Sequence, residues 1–377
     1  MKKLFIALLL SLVFIPKTFA YTDGSLIMNA RNGILIEVST GEILYEKNKD
    51  ERVAVASLTK MMVQILVLEK IEDGSIKWTD VVTASKNASG MGGTQIWLAT
   101  GEKMSVRDLF KGMSIVSAND ATVALAEYVA GSEEKFVELM NKKAKELGLK
   151  NTVYKNVTGL DEDGHVSSAY DLSVIARELM KHEQIFEFTS SYEDYIRENT
   201  PNKYWLVNTN KLVRFYEGTD GLKTGFTDNA GYSMAVTTKR DGMRLLAIVL
   251  GEKEGKVRNS ETMELLDFGF QNYKVDTLKK KGEVVTYLDL DKANKKVPVV
   301  LKNDLTILSK KTDKSLLYDF KINMNDNSLP IKSNSVVGKI NLVNDNKIVK
   351  SEDLIITEDI YKVGYFKYLL DMLYSIF

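Results

Sequence analysis

The sequence predicts an α+β domain followed by a small all-β domain. Three observations predict it. Strand-like runs stand on both sides of a helical middle: residues 33–38 and 42–45 before it, 232–238 and 244–250 after it. That is the pattern of an antiparallel sheet assembled from both ends of one region. The segment at residues 61–68 is almost wholly apolar, so its helix belongs in the interior. From residue 283 to about 357 the runs are short, β-rich and punctuated by Asn, Asp, Ser and Lys clusters, as in Asn325-Asp326-Asn327-Ser328.

The first strands form a hairpin across Ser39-Thr40-Gly41. The buried helix starts near Ser57 and stops at Asp73-Gly74. Residues 89–94 are glycine-rich but lack the spacing of a phosphate loop, and read as a plain flexible loop. Residues 106–131 read as two helical segments broken at Ser117-Ala118-Asn119-Asp120. Ser132 caps the next helix, whose first turn carries Glu133 and Glu134. Residues 156–171 read as loop and 172–181 as helix. Lys223-Thr224-Gly225 begins a strand, Lys239-Arg240-Asp241-Gly242 is a hairpin turn, and residues 260–268 form a closing helix.

Four segments result. Residues 1–20 carry Lys2 and Lys3, an apolar run over 4–15 and the small-residue site Thr18-Phe19-Ala20, the pattern of a signal peptide cut after Ala20. Residues 21–272 form the mixed domain and 273–357 the β-rich one. Residues 358–377 are expected to form an amphipathic helix lying on the membrane surface, with Tyr361, Tyr365, Tyr368 and Tyr374 at headgroup level. The expected location is extracytoplasmic, anchored peripherally to the cytoplasmic membrane.

Composition narrows the chemistry. Formal charge balances to zero, so no nucleic-acid partner is expected. There is no cysteine and only two histidines, His165 and His182, so no metal or cofactor is expected. Both histidines read as structural. Lys60 is the anomaly: a lysine among apolar residues, three positions after Ser57 and so on the same helix face. Ser132-Glu133-Glu134-Lys135 has the same spacing on a charged face, where its lysine would stay protonated.

Two further short motifs follow in order. Ser117-Ala118-Asn119 stands at a break between helices, and Lys223-Thr224-Gly225 occurs once. The three together resemble the Ser-x-x-Lys, Ser-x-Asn and Lys-Thr-Gly set of penicillin-binding proteins and serine β-lactamases. Asp220 to Thr227, Ala230-Gly231-Tyr232, Gly101-Glu102, Gly159-Leu160 and Ser168 to Leu172 are similar to the low-molecular-mass group that acts as D-alanyl-D-alanine carboxypeptidases. The resemblance runs from about residue 30 to 268.

Acyl transfer follows from these residue types. Ser57 is the nucleophile. Lys60 is its base if burial and a second cation, Lys223, lower its pKa. Ser117 can pass the proton to the leaving amine. Asn119 can hold a substrate amide. Lys223 and Thr224 can bind a terminal carboxylate, and Gly225 lets the ligand approach the backbone. The resemblance further implies an oxyanion hole from the N–H groups of Ser57 and Phe226, a carboxylate-binding Arg258, and a peptidoglycan stem peptide ending in D-Ala-D-Ala as substrate, with β-lactams as covalent inhibitors. Two departures from the family stand out: Ala118 where many members have glycine, and Phe226 where several have histidine. A serine β-lactamase and a β-lactam sensor that does not turn over remain alternatives, and a His-dependent triad would need His165 or His182.

Overall fold

The computed structural model describes residues 26–363 except 28, 199, 292, 314–317 and 346. The expected signal peptide and residues 364–377 lie outside the described residues. The chain divides into two compact units at Gly269–Phe270.

The first unit is built on a five-stranded antiparallel sheet. Its order is Ile43–Lys47, Asn32–Glu37, Met243–Glu252, Tyr232–Arg240, Thr219–Gly225. The two N-terminal strands thus close against three from the far end of the unit. Register pairs apolar residues with apolar ones, Ile34 opposite Ile248 and Leu35 opposite Ala247. The turn at Asp241 and Gly242 has φ of 47° and 82°, the left-handed pair that matches strand twist. Helix Gly255–Asn272 packs on this sheet so closely that a Cβ on Gly269 would lie 2.5 Å from Leu245.

Helix Lys60–Glu72 is buried continuously from Lys60 to Leu68, so it has no solvent face along its first two turns. It packs against helices Asn119–Ala130 and Ala169–Leu179. Helix Val106–Lys111 runs through a wider π turn, Gly112–Val116, into Ser117, which is left-handed (φ 68°, ψ 32°). That single residue reverses the chain and lets Asn119 open the next helix.

Several expected boundaries move. The helical break is confined to Ser117 and Ala118, because Asn119 and Asp120 already lie in the helix. The helix expected from Leu172 starts at Ala169, since the Ser168 hydroxyl accepts from the Asp171 N–H and caps it. The closing helix is longer than expected. Lys223-Thr224-Gly225 ends its strand rather than beginning it: pairing starts at Thr219 opposite Thr238 and finishes at Gly225 opposite Ser233.

The second unit carries a five-stranded antiparallel sheet, ordered Val284–Leu288, Val297–Leu301, Lys347–Ile356, Val336–Asn344, Asp319–Met324. A separate pair joins Tyr273–Lys279 to Leu305–Lys310. Alternate residues Val297, Val299 and Leu301 face a core with Ile340, Leu354 and Ile356. Residues 358–363 are not helical, against expectation. Ile360 bridges Ile331 and Lys362 bridges Ala293, so this stretch extends the β structure. Among the described residues no helix is long and apolar enough to cross a membrane.

Candidate active site

Ser57 lies in a tight 3-10 turn, Ala56–Thr59, that leads directly into the buried helix. The residue before it, Ala56, is held at φ 47°, a costly conformation for a residue with a Cβ. Gly159 fixes it there. A Cβ on Gly159 would lie 1.9 Å from the Ala56 carbonyl oxygen, so only glycine fits against this turn. The Gly159 loop is in turn folded around Asn156, whose Oδ1 accepts from the N–H groups of Thr158 and Gly159.

Lys60 is fully buried. Its Nζ lies 2.8 Å from Ser57 Oγ, 2.8 Å from Asn119 Oδ1 and 2.7 Å from the Thr158 carbonyl oxygen. Two of these partners can only accept. They therefore engage two N–H bonds of the amine and leave its third position facing Ser57. In the ammonium form that position donates to Ser57 Oγ; in the neutral form it is a lone pair accepting the Ser57 hydroxyl proton. Burial, and then the charge of Lys223, hold the Lys60 pKa well below its ordinary value, which favours the neutral form.

Asn119 is positioned from three directions. Its N–H donates to the Thr94 carbonyl at 2.7 Å, its Oδ1 accepts from Lys60 and its Nδ2 donates to the Gly92 carbonyl at 2.7 Å. Both ends of the side-chain amide are thus engaged within the protein. The glycine-rich loop is therefore a wall of the site rather than a plain flexible loop. A Cβ on Gly93 would lie 2.8 Å from Asn119 Nδ2. Asp120, also buried, ties the same loop down by accepting from the N–H groups of Ile96 and Leu98. Ser117 Oγ is buried and, among the described residues, has no hydrogen-bond partner, so it does not bridge to Lys60 in this arrangement.

On the opposite wall, Lys223 is 1% exposed and donates to the Thr224 carbonyl. Burial and the nearby Arg258 lower its pKa to about 7. Thr224 Oγ1 donates to Thr209 Oγ1 at 2.7 Å. Gly225 passes directly beside the nucleophile: a Cβ there would lie 3.0 Å from the Ser57 amide nitrogen. Arg258, in the first turn of the closing helix, is buried rather than on the surface. It reaches the carbonyl of Ser233, the strand partner of Gly225, and burial lowers its pKa to about 10. Neither Lys223 nor Arg258 forms an ion pair among the described residues. Two buried cations without a carboxylate between them make a site for an anion from outside.

Phe226 is half-exposed and stacks on Tyr232, ring centroids 4.3 Å apart. His165 accepts the Lys155 N–H at Nδ1, so its neutral ring carries the proton on Nε2, 2.8 Å from Thr59 Oγ1. His182, just past the end of helix Ala169–Leu179, lies with its Nδ1 2.9 Å from Glu72 Oε1. The histidines hold structure at two separate places.

Comparison with known proteins bears on the same residues. Residues 20–254 match the family model described as D-alanyl-D-alanine carboxypeptidase. The chain belongs to that family. Residues 273–362 match a second model, the C-terminal domain of penicillin-binding protein 5. Among relatives, the D-alanyl-D-alanine carboxypeptidase DacF of Bacillus subtilis is 44% identical over 378 residues, spanning 98% of this chain and 97% of the relative. Penicillin-binding protein 5 from Haemophilus influenzae superposes with a TM-score of 0.72 at 31% identity, covering 89% of this chain and 98% of that one. Penicillin-binding protein D2 from Listeria monocytogenes in its ampicillin-bound form gives 0.58 at 34% identity, over 64% and 97%.

Within this carboxypeptidase family match fall Ser57, Lys60, Ser117, Asn119 and Lys223 to Phe226; Arg258 lies four residues beyond it. Sequence reasoning did not find the Thr158 carbonyl, the Gly92 carbonyl or the Asp120 anchor. The first two are backbone atoms with no side-chain signature. The third had a weak signal in the acid directly following Asn119.

Proposed function

We propose that this chain is a serine-type D-Ala-D-Ala carboxypeptidase that trims peptidoglycan stem pentapeptides through an acyl-enzyme on Ser57. The observation that carries this reading is a buried Lys60 amine with two fixed acceptors and its third position 2.8 Å from Ser57 Oγ. Lys223 and Arg258 hold the terminal carboxylate. Lys60 takes the Ser57 proton as Oγ attacks the carbonyl of the penultimate D-Ala. The N–H groups of Ser57 and Phe226 stabilise the oxyanion. The proton passes to the departing D-Ala amine through the Ser117 hydroxyl, which has no hydrogen-bond partner among the described residues. The C–N bond breaks, D-Ala leaves, and the acyl group remains on Ser57. Water then enters, gives a proton to Lys60 and adds to the ester carbonyl; the bond to Ser57 Oγ breaks, Lys60 returns the proton to Ser57 Oγ, and the shortened peptide leaves as its carboxylic acid.

A β-lactam enters by the same steps, but its ring amine stays tethered, so the adduct persists. Glu162 and Asp163, the acids nearest in sequence to a deacylating base, are exposed, and Glu162 is engaged with Asn156. The extracytoplasmic location, the domain limits at 20/21 and 272/273, and membrane attachment through the tail beyond residue 363, which replaces the expected limit at 357/358 because residues 358–363 extend the β structure, belong to the same proposal.

Incubation with a stem pentapeptide and with penicillin tests it. D-Ala release together with a long-lived adduct on Ser57 is expected. Fast β-lactam turnover would mean a lactamase, and an adduct without D-Ala release a sensor. Removing residues 364–377 should free the protein from membranes; unchanged sedimentation would sink that part.

A further inference from the structure

Two separate stretches of chain meet at the carbonyl under attack. One is the 3-10 turn Ala56–Thr59, which carries the Ser57 N–H. The other is the exit from strand Thr219–Gly225, which carries the Phe226 N–H. Strand pairing holds the second stretch as far as Gly225, opposite Ser233, and stops there. Past that point two contacts hold the exit. The Phe226 ring stacks on Tyr232, which belongs to the neighbouring strand of the same sheet. The Thr227 hydroxyl donates to Asp161 Oδ1 at 2.6 Å, and the Asn229 N–H reaches Asp161 Oδ2 at 3.4 Å. Thr227 also closes its own turn. Its Oγ1 accepts from the Ala230 N–H at 3.1 Å and its carbonyl from the Gly231 N–H at 2.9 Å. The turn after Phe226 is thus hung, as one unit, on a single carboxylate.

Asp161 belongs to the loop that already shapes the nucleophile. In that loop the Thr158 carbonyl accepts from Lys60, and Gly159 presses on Ala56. Asn156 stiffens it on both sides of Asp161: its Nδ2 donates to the Leu160 carbonyl at 3.1 Å and to the Glu162 carboxylate at 2.9 Å. Asp161 is exposed, yet among the described residues it enters no ion pair. Its carboxylate is committed to the turn. One stiff loop therefore references both N–H groups, the Ser57 turn through Gly159 and the Phe226 exit through Asp161.

We infer that Asp161 is a positioning residue for the oxyanion hole: through Thr227 it fixes the Phe226 N–H against the Ser57 N–H at the spacing a carbonyl oxygen needs as it becomes charged. The inference rests on the acyl-enzyme reading, which gives those two N–H groups their role. Donors aimed at developing charge stabilise the transition state more than the bound substrate. A donor that loses its anchor is therefore read in kcat, with KM unchanged.

Asp161→Ala is expected to lower kcat for D-Ala release, and the rate of penicillin acylation, by about tenfold. That is short of the roughly hundred- to thousandfold cost of removing an oxyanion donor outright. KM for the stem pentapeptide should stay within about twofold. In the infrared spectrum of the penicillin adduct, the ester carbonyl on Ser57 should move to higher frequency as its hydrogen bonding weakens. A role in folding alone would leave that band in place. Asp161→Asn keeps an oxygen that accepts from Thr227 and should restore most of the rate. Thr227→Val removes the donor and should match Asp161→Ala, with the double variant no slower than either single one. It also carries the test should Asp161→Ala fail to fold. An unchanged kcat, a loss carried by KM with the band unmoved, or an Asp161→Asn as slow as Asp161→Ala would overturn the inference while the Ser57 adduct, and with it the acyl-enzyme reading, stands. Absence of any adduct on Ser57 in the unaltered protein would overturn that reading and the inference together.

Discussion

In two stretches of this chain a lysine follows a serine by three residues, and only one has the geometry of a catalyst. At Ser132, the hydroxyl accepts from the Lys135 N–H and caps helix Glu133–Glu146, while Lys135 extends into water. At Ser57, the hydroxyl meets the Lys60 amine and caps no backbone N–H among the described residues. It faces the fully buried Lys60 amine. Spacing is thus shared, and surroundings decide: one serine ends a helix, the other is available to react.

The largest expected effect separates these two sites. Ser57→Ala should abolish both D-Ala release and the penicillin adduct, read by mass. Lys60→Ala should slow acylation by about a hundred- to ten-thousand-fold, as loss of a general base does. Ser132→Ala should leave both activities intact and cost about 1 kcal/mol of stability through the lost cap, measured by denaturant unfolding. Activity lost at Ser132, or kept at Ser57, would erase the distinction.

The pH dependence sharpens it. Lys60 must be neutral to accept a proton, while Lys223 must be charged to hold a carboxylate, and its pKa is about 7 in the free protein. KM for a peptide with a free terminal carboxylate should therefore rise as pH passes above about 7, whereas a terminal amide should show no such rise. Parallel profiles for acid and amide would remove Lys223 from the carboxylate site.

How much of this was legible depends on where the information resides. The side chains Ser57, Lys60, Ser117, Asn119 and Lys223 are legible from residue type, spacing and order; the structure joins Ser57 and Asn119 to Lys60 by hydrogen bonds and brings the Lys223 charge near it, while Ser117 Oγ makes no hydrogen bond among the described residues. The hairpin and the sheet built from both ends were also legible, because short continuous apolar runs bounded by turn residues are a local signal. The Thr158 carbonyl was not, since a backbone acceptor leaves no mark in the sequence. Nor were the left-handed Ala56 and Ser117, because neighbours such as Gly159 impose those conformations from far along the chain. The start of helix Ala169–Leu179 was missed for another reason: the Ser168-x-x-Asp171 cap was there to read. The strand at Lys223 ends at Gly225 instead of beginning at Lys223, because pairing of its earlier residues with Thr237 and Thr238 extends it back to Thr219.

A smaller effect concerns His165, which holds the Gly159 loop side of the cleft. Burial lowers its pKa from 6.5 to about 4. Between these values the unfolded chain binds a proton that the folded one does not. Its contribution is therefore intact above about pH 6.5 and is lost as pH falls toward 4, by at most about 3 kcal/mol. His165→Gln should flatten that part of the stability profile, while the same change at His182 should leave it in place.

The central claim is that burial and Lys223 make Lys60 a base. Nuclear magnetic resonance of the Lys60 side chain, titrated in the free protein, tests it directly. The account predicts a titration well below the free lysine value of about 10.4, moving upward when Lys223 is replaced by Gln. A Lys60 that titrates at the ordinary value, with or without Lys223, would contradict it.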